Sequence, residues 1–164
     1  MRKYQVGQKV MHPLHGIGTV EKIEEKKILG KTSKFSVINF TDDRLKIMVN
    51  LDQKSMIRGL TSRDEIKKVL DVMKNKSDDM PARSSERYNL NMKKIKSADV
   101  FQMAEVIRDL SELLHRKKLS RKEQTMLKAA KKIFCSEVSY VKKISEEEAE
   151  TLIDDTVKPP QVEA

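Results

Sequence analysis

Several residue types are scarce in this chain of 164 residues, and each scarcity excludes a class of structure. Cys135 is the only cysteine, so no internal disulfide is possible. It follows Ile133 and Phe134 in a helical pattern, and we expect a buried, unreactive thiol. No segment approaches the roughly 18 apolar residues of a membrane span, and the start lacks the apolar core of a signal peptide. We therefore expect a cytoplasmic protein with no membrane partner.

Residues arranged for catalysis are also missing. His12 and His15 flank Pro13 in a predicted turn, and His115 stands alone, so no pair has the spacing of a metal site or a catalytic triad. The adjacent carboxylates Asp42 and Asp43 are explained by a hairpin turn. No glycine-rich phosphate loop occurs. We expect no metal, no cofactor and no enzymatic activity.

Positive charge is in excess. The chain has 34 basic and 25 acidic residues, which give a formal net charge of +9. Fixed positive charge attracts a polyanion without sequence recognition. The same composition, 36% charged residues, is also compatible with a merely soluble surface.

The sequence pattern changes near residue 60. Before it, β-branched runs alternate with turns, and Pro13 should end the first strand because proline lacks an N–H. Gly16 and Gly18 are expected where a small barrel bends sharply. The predicted strands lie at residues 6–11, 19–23, 35–40, 45–49 and 55–58. Five short strands of this kind are typical of an SH3-like or Tudor-like barrel.

A barrel of such short strands should leave an edge strand free to pair with a strand of a partner. The segment Lys46-Ile47-Met48-Val49 is the candidate edge. The alternative is that Ile47 and Met48 only alternate between core and solvent.

After residue 60 the pattern is helical. Ser62, Ser120 and Ser145 are each followed by a glutamate three residues later, which is the capping-box signature. Apolar spacing predicts five helices, around Ile66 to Met73, around Tyr88, after Asp99, after Ser120 and after Ser145. The predicted fold is α+β in two domains: a barrel at residues 1–60 and a five-helix bundle at residues 61–157. A disordered tail is predicted at residues 158–164.

Basic side chains recur on two of these helices. Arg83, Arg87, Lys93, Lys94 and Lys96 surround Tyr88, and Lys122, Lys128, Lys131 and Lys132 recur along the fourth helix. Both groups are suited to phosphate contacts, which position a protein on DNA without selecting a sequence. A solvated helix face is the alternative explanation.

These blocks, taken in order, resemble a known family. They are Val6-Gly7, His12-Pro13, His15-Gly16-Ile17-Gly18, Arg87-Tyr88, the stretch from Ala104 to Leu110, and Leu119-Ser120 with Glu123, Met126 and Leu127. Over about residues 4 to 157 the chain resembles the CarD/CdnL family of bacterial RNA polymerase-binding regulators. Its barrel is also similar to the polymerase-interacting domain of the transcription-repair coupling factor.

The resemblance implies two partners. The barrel would bind the RNA polymerase β subunit by strand pairing, and the implied contact residues are Lys26, Arg44, Lys46, Ile47, Met48 and Val49. The helical domain would contact promoter DNA, at the phosphate backbone and in the minor groove, near the upstream edge of the melted bubble. The candidate DNA-binding residues are Arg83, Ser84, Arg87, Tyr88, Lys93 and Lys94, together with Lys122 and Lys128 from the basic pattern of the fourth helix.

The chain departs from the family pattern at the DNA contact. The family wedges a tryptophan between base steps, which costs a few kcal/mol of stacking; the matching residue here is Ser84, and the chain has no tryptophan. Glu86 replaces a basic family position, and Asn50 replaces a proline after the pairing strand. Arg83, beside Ser84, is a candidate to enter the minor groove as a cation instead.

The sequence therefore predicts a monomeric, nucleoid-associated regulator that alters the stability of the open promoter complex. Two alternatives stay open. One is a polymerase-tethered adaptor whose helical domain binds another protein, and the other is a stand-alone RNA-binding or ribosome-associated protein.

Overall fold

A computed structural model describes residues 4–41, 43–52, 56–75 and 79–157. The chain divides into two compact units, Met1–Leu60 and Thr61–Ala164. The first holds an antiparallel sheet and the second holds helices, so the predicted α+β class is confirmed. The predicted tail at residues 158–164 lies outside the described residues.

The first unit is a five-stranded antiparallel sheet in the order β4-β3-β2-β1-β5. Its strands are β1 (Lys9–His12), β2 (Gly16–Ile28), β3 (Lys31–Phe40), β4 (Leu45–Asn50) and β5 (Arg58–Gly59). Val10, Val20, Ile38 and Phe40 are fully buried in its core. Tyr4 packs against the same core and donates a hydrogen bond from its hydroxyl to the carbonyl oxygen of Ile57, at 3.0 Å.

Four strands differ by more than one residue from their predictions, and one of them is β3, which begins at Lys31 rather than at residue 35. β1 starts only at Lys9 because Gly7 lies in a turn at φ 90°, and it ends before Pro13 as predicted. β2 continues to Ile28, since its charged residues from Glu24 onward still pair with β3 although both faces are exposed. Ser55, predicted to begin the last strand, lies outside the described residues, and β5 is Arg58–Gly59.

The described part of the second unit has five helices, as predicted. They are α1 (Arg63–Lys74), α2 (Ser84–Lys96), α3 (Val100–His115), α4 (Arg121–Lys142) and α5 (Glu146–Thr156). α3 contributes ten buried residues, more than any other described helix, so it forms the centre of the bundle. None of the helices described is long and apolar enough to cross a membrane.

Local caps begin four of these helices. The side chains of Ser62, Ser120 and Ser145 each accept a hydrogen bond from the backbone N–H three residues on. At Ser120 the reciprocal bond is also present, from the Ser120 N–H to Oε2 of Glu123 at 2.9 Å, and completes the predicted capping box. Asp99 caps α3 through the N–H groups of Phe101 and Gln102.

Candidate functional site

Strand β4 lies at one edge of the described sheet, and it pairs with β3 from Leu45 to Asn50. The prediction of an edge strand at residues 46–49 is confirmed by this strand order. At an edge, every second residue directs its N–H and C=O groups away from the sheet. β4 therefore offers a row of main-chain donors and acceptors to a strand of another molecule.

The side chains of β4 alternate between the core and the solvent, and this alternation is compatible both with strand pairing and with the alternative raised for Ile47 and Met48. Ile47 and Val49 are half-buried against the barrel core, whereas Met48 is 45% exposed. Lys46 is exposed and pairs with Oε2 of Glu21 at 3.2 Å. Of the predicted contact residues on β4, Lys46 and Met48 are thus the ones whose side chains a partner can reach.

The two other predicted polymerase contacts flank β4. Arg44 is exposed in the turn before the strand, at φ 50°. Lys26 lies opposite Ser33 on β3, beyond Phe35, where β4 ends at Asn50. Lys26 is therefore on the free end of the β2–β3 hairpin rather than beside β4.

Arg87 is predicted to bind DNA, but in the structure its side chain forms hydrogen bonds inside the protein. Its guanidinium donates to both carboxylate oxygens of Glu123, at 2.8 and 3.1 Å, and to the carbonyl oxygens of Pro81 and Ala82. Arg87 is 7% exposed and Glu123 is fully buried. The prediction for Arg87 is corrected on this ground, because a buried guanidinium bonded in this way has no free face for phosphate.

The Arg87–Glu123 pair holds the first turn of α2 against the first turn of α4. Burial acts to raise the pKa of Glu123, but hydrogen bonds from Arg87 and Ser120 outweigh it, and the pKa is lowered. The carboxylate therefore stays charged at neutral pH. The pair places Arg83, the residue that precedes α2, close to the start of α4.

A basic surface surrounds this junction. Arg83 is exposed, and among the described residues no side chain caps the N-terminus of α2, where backbone N–H groups can face an anion. Ser84, at the wedge position, is half-buried. The Lys122 ammonium lies 5.7 Å from the centre of the Tyr88 ring, in a cation–π arrangement.

The turn between α3 and α4 adds exposed cations that the sequence analysis did not assign to DNA. The carbonyl oxygen of Lys118 lies 3.5 Å from the Arg87 guanidinium, which places this turn at the same junction. The sequence signal for these residues is a run of basic residues interrupted by Ser120, the serine that caps α4. We call the whole set the α2–α4 basic surface: Arg83, Tyr88, Lys117, Lys118, Arg121 and Lys122.

Three other predicted DNA contacts lie outside that surface. Lys94 is bonded to Glu105 of α3 at 3.1 Å. Lys93 is exposed, but it is ten residues along α2 from Arg83, about 15 Å at the rise of an α-helix. Lys128 is six residues after Lys122, a rotation of about 240°, and faces α5, where it lines a cavity with Glu146 and Glu150. Lys128 is therefore on the wrong flank of α4 to join Lys122 on one duplex.

Two further titratable groups, His12 and Cys135, are buried in packed surroundings. His12 packs edge-on against Phe40, with ring centres 5.9 Å apart, and burial followed by repulsion from His15 lowers its pKa to about 4. Burial raises the pKa of the Cys135 thiol to about 11, in line with the predicted unreactive cysteine. Within the described ranges, no three His, Cys, Asp or Glu side chains are grouped to hold a metal ion.

Comparisons with known proteins agree with this architecture. The profile of the CarD-like/TRCF RID domain matches residues 4–61, and that of the CarD C-terminal domain matches residues 68–154. YdeB of Bacillus subtilis (strain 168), which is named as a candidate transcription factor, is 30% identical over 147 residues; these are 88% of this chain and 96% of YdeB. The chain belongs to the CarD-like family of transcription factors.

Proposed function

We propose that this protein regulates transcription by binding the β subunit of RNA polymerase with the edge of β4 and promoter DNA with the α2–α4 basic surface. The observation that carries the proposal is the position of β4 at the sheet edge, with Met48 and Lys46 facing outward. The CarD-like family supports the choice of polymerase as the partner of the barrel.

Strand addition explains how such a small barrel binds a large enzyme. Main-chain hydrogen bonds supply the attraction, and outward side chains supply selectivity. Met48 offers a flexible apolar contact, and Lys46, two residues earlier on the same face of the strand, offers a positive charge. Arg44 adds a cation in the turn before the strand, and Lys26 adds one on the free end of the β2–β3 hairpin.

The DNA contact differs from the family pattern in its chemistry. Ser84 cannot unstack a base step, so binding rests on cations and on the open N-terminus of α2. A ligand shifts the equilibrium between closed and open promoter only by its difference in affinity for the two states. We expect a smaller change in open-complex lifetime than a tryptophan wedge would give.

The first prediction concerns the sheet edge. Met48→Arg places a bulky charge at the paired edge and should weaken polymerase binding about tenfold or more, since a charge in a desolvated contact costs several times RT. Binding of purified polymerase is measured by surface plasmon resonance. Ile47 is unsuited to this test because it packs against the barrel core.

The matched control for the sheet edge is Val6→Arg. Val6 is 64% exposed and precedes β1, which lies on the far side of β2 and β3 from β4 in the sheet order. The same apolar-to-arginine change there should leave polymerase affinity within about twofold, the size expected of a remote surface change. Equal weakening by both variants would contradict strand pairing through β4, and no binding by the unaltered protein would favour the RNA-binding alternative.

The second prediction concerns the α2–α4 basic surface. Arg83→Ala combined with Lys122→Ala removes two exposed cations, and should reduce the protein's effect on open-complex lifetime while leaving polymerase binding intact. Lifetime is measured by competitor challenge on a ribosomal RNA promoter, with footprinting of the upstream bubble edge. The matched control is Lys67→Ala with Lys68→Ala, which removes two exposed lysines from α1. If the two pairs have the same effect, only net charge matters and the assigned surface is wrong.

A further inference from the structure

The free end of the β2–β3 hairpin projects beyond the rest of the described sheet. On the β1 side, the described residues bond to β2 only as far as Val20. On the β4 side, they bond to β3 only as far as Lys34, whose carbonyl oxygen accepts a hydrogen bond from the N–H of Leu51. Beyond these points the two strands pair with each other up to the turn. We call residues 26–33 the β2–β3 tip, which is about 10 Å long, or three residue steps of an antiparallel strand.

The turn at the end of this tip exposes a leucine in an unfavourable conformation. Leu29 and Gly30 connect the paired residues Ile28 and Lys31, and their φ angles are 51° and 81°. A two-residue hairpin turn with positive φ at both positions normally holds asparagine, aspartate or glycine, because a larger side chain strains the left-handed backbone. Leu29 is nevertheless 99% exposed. Within the described structure neither burial nor backbone preference accounts for a leucine here, which indicates a contact with another molecule.

The side chains beside the turn are basic. The β2–β3 tip contains three lysines and no acidic residue. Lys26 pairs with Glu24 at 3.8 Å, whereas Lys27 and Lys31 form no ion pair with any described residue. Lys27 lies opposite Thr32, the neighbour of Lys31, and successive residues of a strand point to opposite faces. Lys27 and Lys31 therefore extend from opposite faces of the hairpin.

Acidic side chains lie at the base of the hairpin. Glu24 is bonded to Lys22 at 2.6 Å, and Glu25 lies opposite Lys34 in the register. Asp52 accepts a hydrogen bond from the backbone N–H of Lys34 at 3.1 Å. All of these groups come before the tip as the hairpin projects from the sheet. Positive charge and exposed apolar surface therefore coincide at its free end.

Cations on both faces select the occupant of the tip. A membrane is a poor match, because one lipid anchor holds a protein only marginally and Ile28 with Leu29 offers less apolar surface than such an anchor. A flat acidic protein surface meets one face of a hairpin at a time. A groove of duplex DNA has phosphates along both walls, so a hairpin inserted tip first can direct Lys27 to one strand and Lys31 to the other.

The dimensions of the tip favour the major groove. Stacked sheets lie about 10 Å apart, so the side chains on one face fill about 5 Å and a hairpin with both faces is about 10 Å thick. The major groove of B-DNA is about 12 Å wide and about 8.5 Å deep, whereas the minor groove is only about 6 Å wide. A tip about 10 Å long reaches the floor of the major groove. The apolar group on that floor is the C5-methyl group of thymine.

We propose that the β2–β3 tip enters the major groove of duplex DNA, with Leu29 against a thymine methyl group and with Lys27 and Lys31 against the phosphates of the two strands. This function goes beyond the proposed strand pairing of β4 and the proposed phosphate contacts of the α2–α4 basic surface. It gives the barrel a preference for thymine-containing sites that phosphate contacts alone do not supply.

The first test measures the contact with the thymine methyl group. Fluorescence anisotropy compares binding of the full chain to an A·T-rich duplex and to the same duplex with deoxyuridine in place of thymine, which removes only the methyl groups. The thymine duplex should bind about fourfold more tightly, the effect of burying one methyl group. Leu29→Asn should abolish this preference, and the variant should fold because asparagine is favoured in such turns. The matched control is Val6→Asn, which changes another exposed apolar residue of the barrel and should keep the preference.

The same comparison separates the tip from the α2–α4 basic surface. Arg83→Ala with Lys122→Ala should weaken binding to both duplexes and keep the ratio between them. Equal affinity of the unaltered protein for both duplexes, or a preference that survives Leu29→Asn, would overturn the proposal. Loss of the preference in Arg83→Ala with Lys122→Ala would also overturn it, because the preference would then depend on the helical surface.

The second test concerns the two lysines. Lys27→Ala with Lys31→Ala should reduce the slope of the logarithm of DNA affinity against the logarithm of salt concentration by about 2, since each lost phosphate contact removes about 0.9. Lys67→Ala with Lys68→Ala removes two exposed lysines of α1 and is the matched control, with no expected change in slope. An unchanged slope in the Lys27→Ala, Lys31→Ala variant would contradict the phosphate contacts of the tip.

A cross-linking experiment identifies what the tip touches in the assembled complex. A photoreactive amino acid replaces Leu29, and the full chain is irradiated with RNA polymerase on promoter DNA. Cross-links to DNA bases are expected. Cross-links to polymerase alone, or none, would refute the proposal. Either failure would leave strand pairing at β4 and DNA binding by the α2–α4 basic surface to be judged by their own variants.

Discussion

At the scale of single residues, Gly18 shows how closely the barrel is packed. A Cβ atom at Gly18 would lie 2.6 Å from Cγ2 of Ile38 and 2.7 Å from Cε1 of Phe40, and both side chains are fully buried. The expected role of Gly18 at a sharp bend is not observed; the irregularity between β2 and β3 lies between Val20 and Lys22. Gly18 is instead required by packing.

Gly18→Ala should therefore destabilise the protein by about 1–3 kcal/mol, the usual cost of overpacking a core. The free energy of unfolding is measured by urea denaturation, followed by a probe in the barrel. Gly59→Ala is the control, because a Cβ there has nothing within 4 Å and the backbone is not left-handed. A loss of the same size at Gly59 would show that packing at Gly18 is not the cause.

At the scale of elements, the junction of α2 and α4 depends on the buried pair of Arg87 and Glu123. Arg87→Ala leaves a fully buried carboxylate without its guanidinium, and should lower stability by about 3–5 kcal/mol at pH 7. Urea denaturation followed by helical circular dichroism measures the loss. The control is Arg116→Ala, which breaks an exposed pair with Glu112 and should cost at most about 1 kcal/mol.

The dependence on pH gives a second measurement of the same pair. Because the pKa of Glu123 is lowered in the folded protein, its contribution to stability is present above the unfolded pKa of about 4.3 and is lost as pH falls through the folded value. Without Arg87 the buried Glu123 carboxylate takes up a proton more readily, so the difference in stability between the unaltered protein and Arg87→Ala should shrink steadily as pH falls from 7 to 3. A difference that stays constant from pH 7 to pH 3 would contradict a charged carboxylate as its source.

The elements also show what the sequence could predict. Helix starts were predicted well because Ser62, Ser120 and Ser145 act on their own neighbours, three residues away. The length of β2 was not predicted, because its outer half is charged on both faces and is held by pairing with β3 rather than by burial.

The candidate site was predictable only in part, for a similar reason. A free sheet edge was predictable from strand count and length, and β4 was the candidate for it. The burial of Arg87 was not predictable, because its partner Glu123 lies 36 residues further on. A family motif marks Arg87 as important without saying whether it faces DNA or the protein interior. Helical spacing separates Lys122 from Lys128 by a rotation of about 240° about the helix axis, although both were interpreted as part of one basic face.

At the scale of the whole molecule, the two units are expected to bind their partners through different physics. Strand pairing at β4 rests on main-chain hydrogen bonds, which salt screens little. Contacts between the α2–α4 basic surface and phosphate release counterions, so they weaken steeply as salt rises. A protein that joins both sites gains a high effective concentration at the promoter once the barrel is bound to polymerase. We therefore expect the DNA contact to be the more salt-sensitive of the two.

This difference predicts two distinct salt dependences. The logarithm of the DNA affinity should fall linearly with the logarithm of salt concentration, whereas polymerase affinity should fall less steeply over the same range. Arg83→Ala with Lys122→Ala should reduce the slope for DNA by about 2, because each lost phosphate contact removes about 0.9. Fluorescence anisotropy on a promoter duplex, from low to physiological salt, measures the slope for DNA, and surface plasmon resonance measures polymerase affinity over the same range. The Lys67→Ala, Lys68→Ala pair on α1 removes the same charge and should leave the slope unchanged, since these lysines lie outside the assigned surface. If both pairs lower the slope equally, phosphate is held by diffuse charge over the bundle rather than at the junction of α2 and α4.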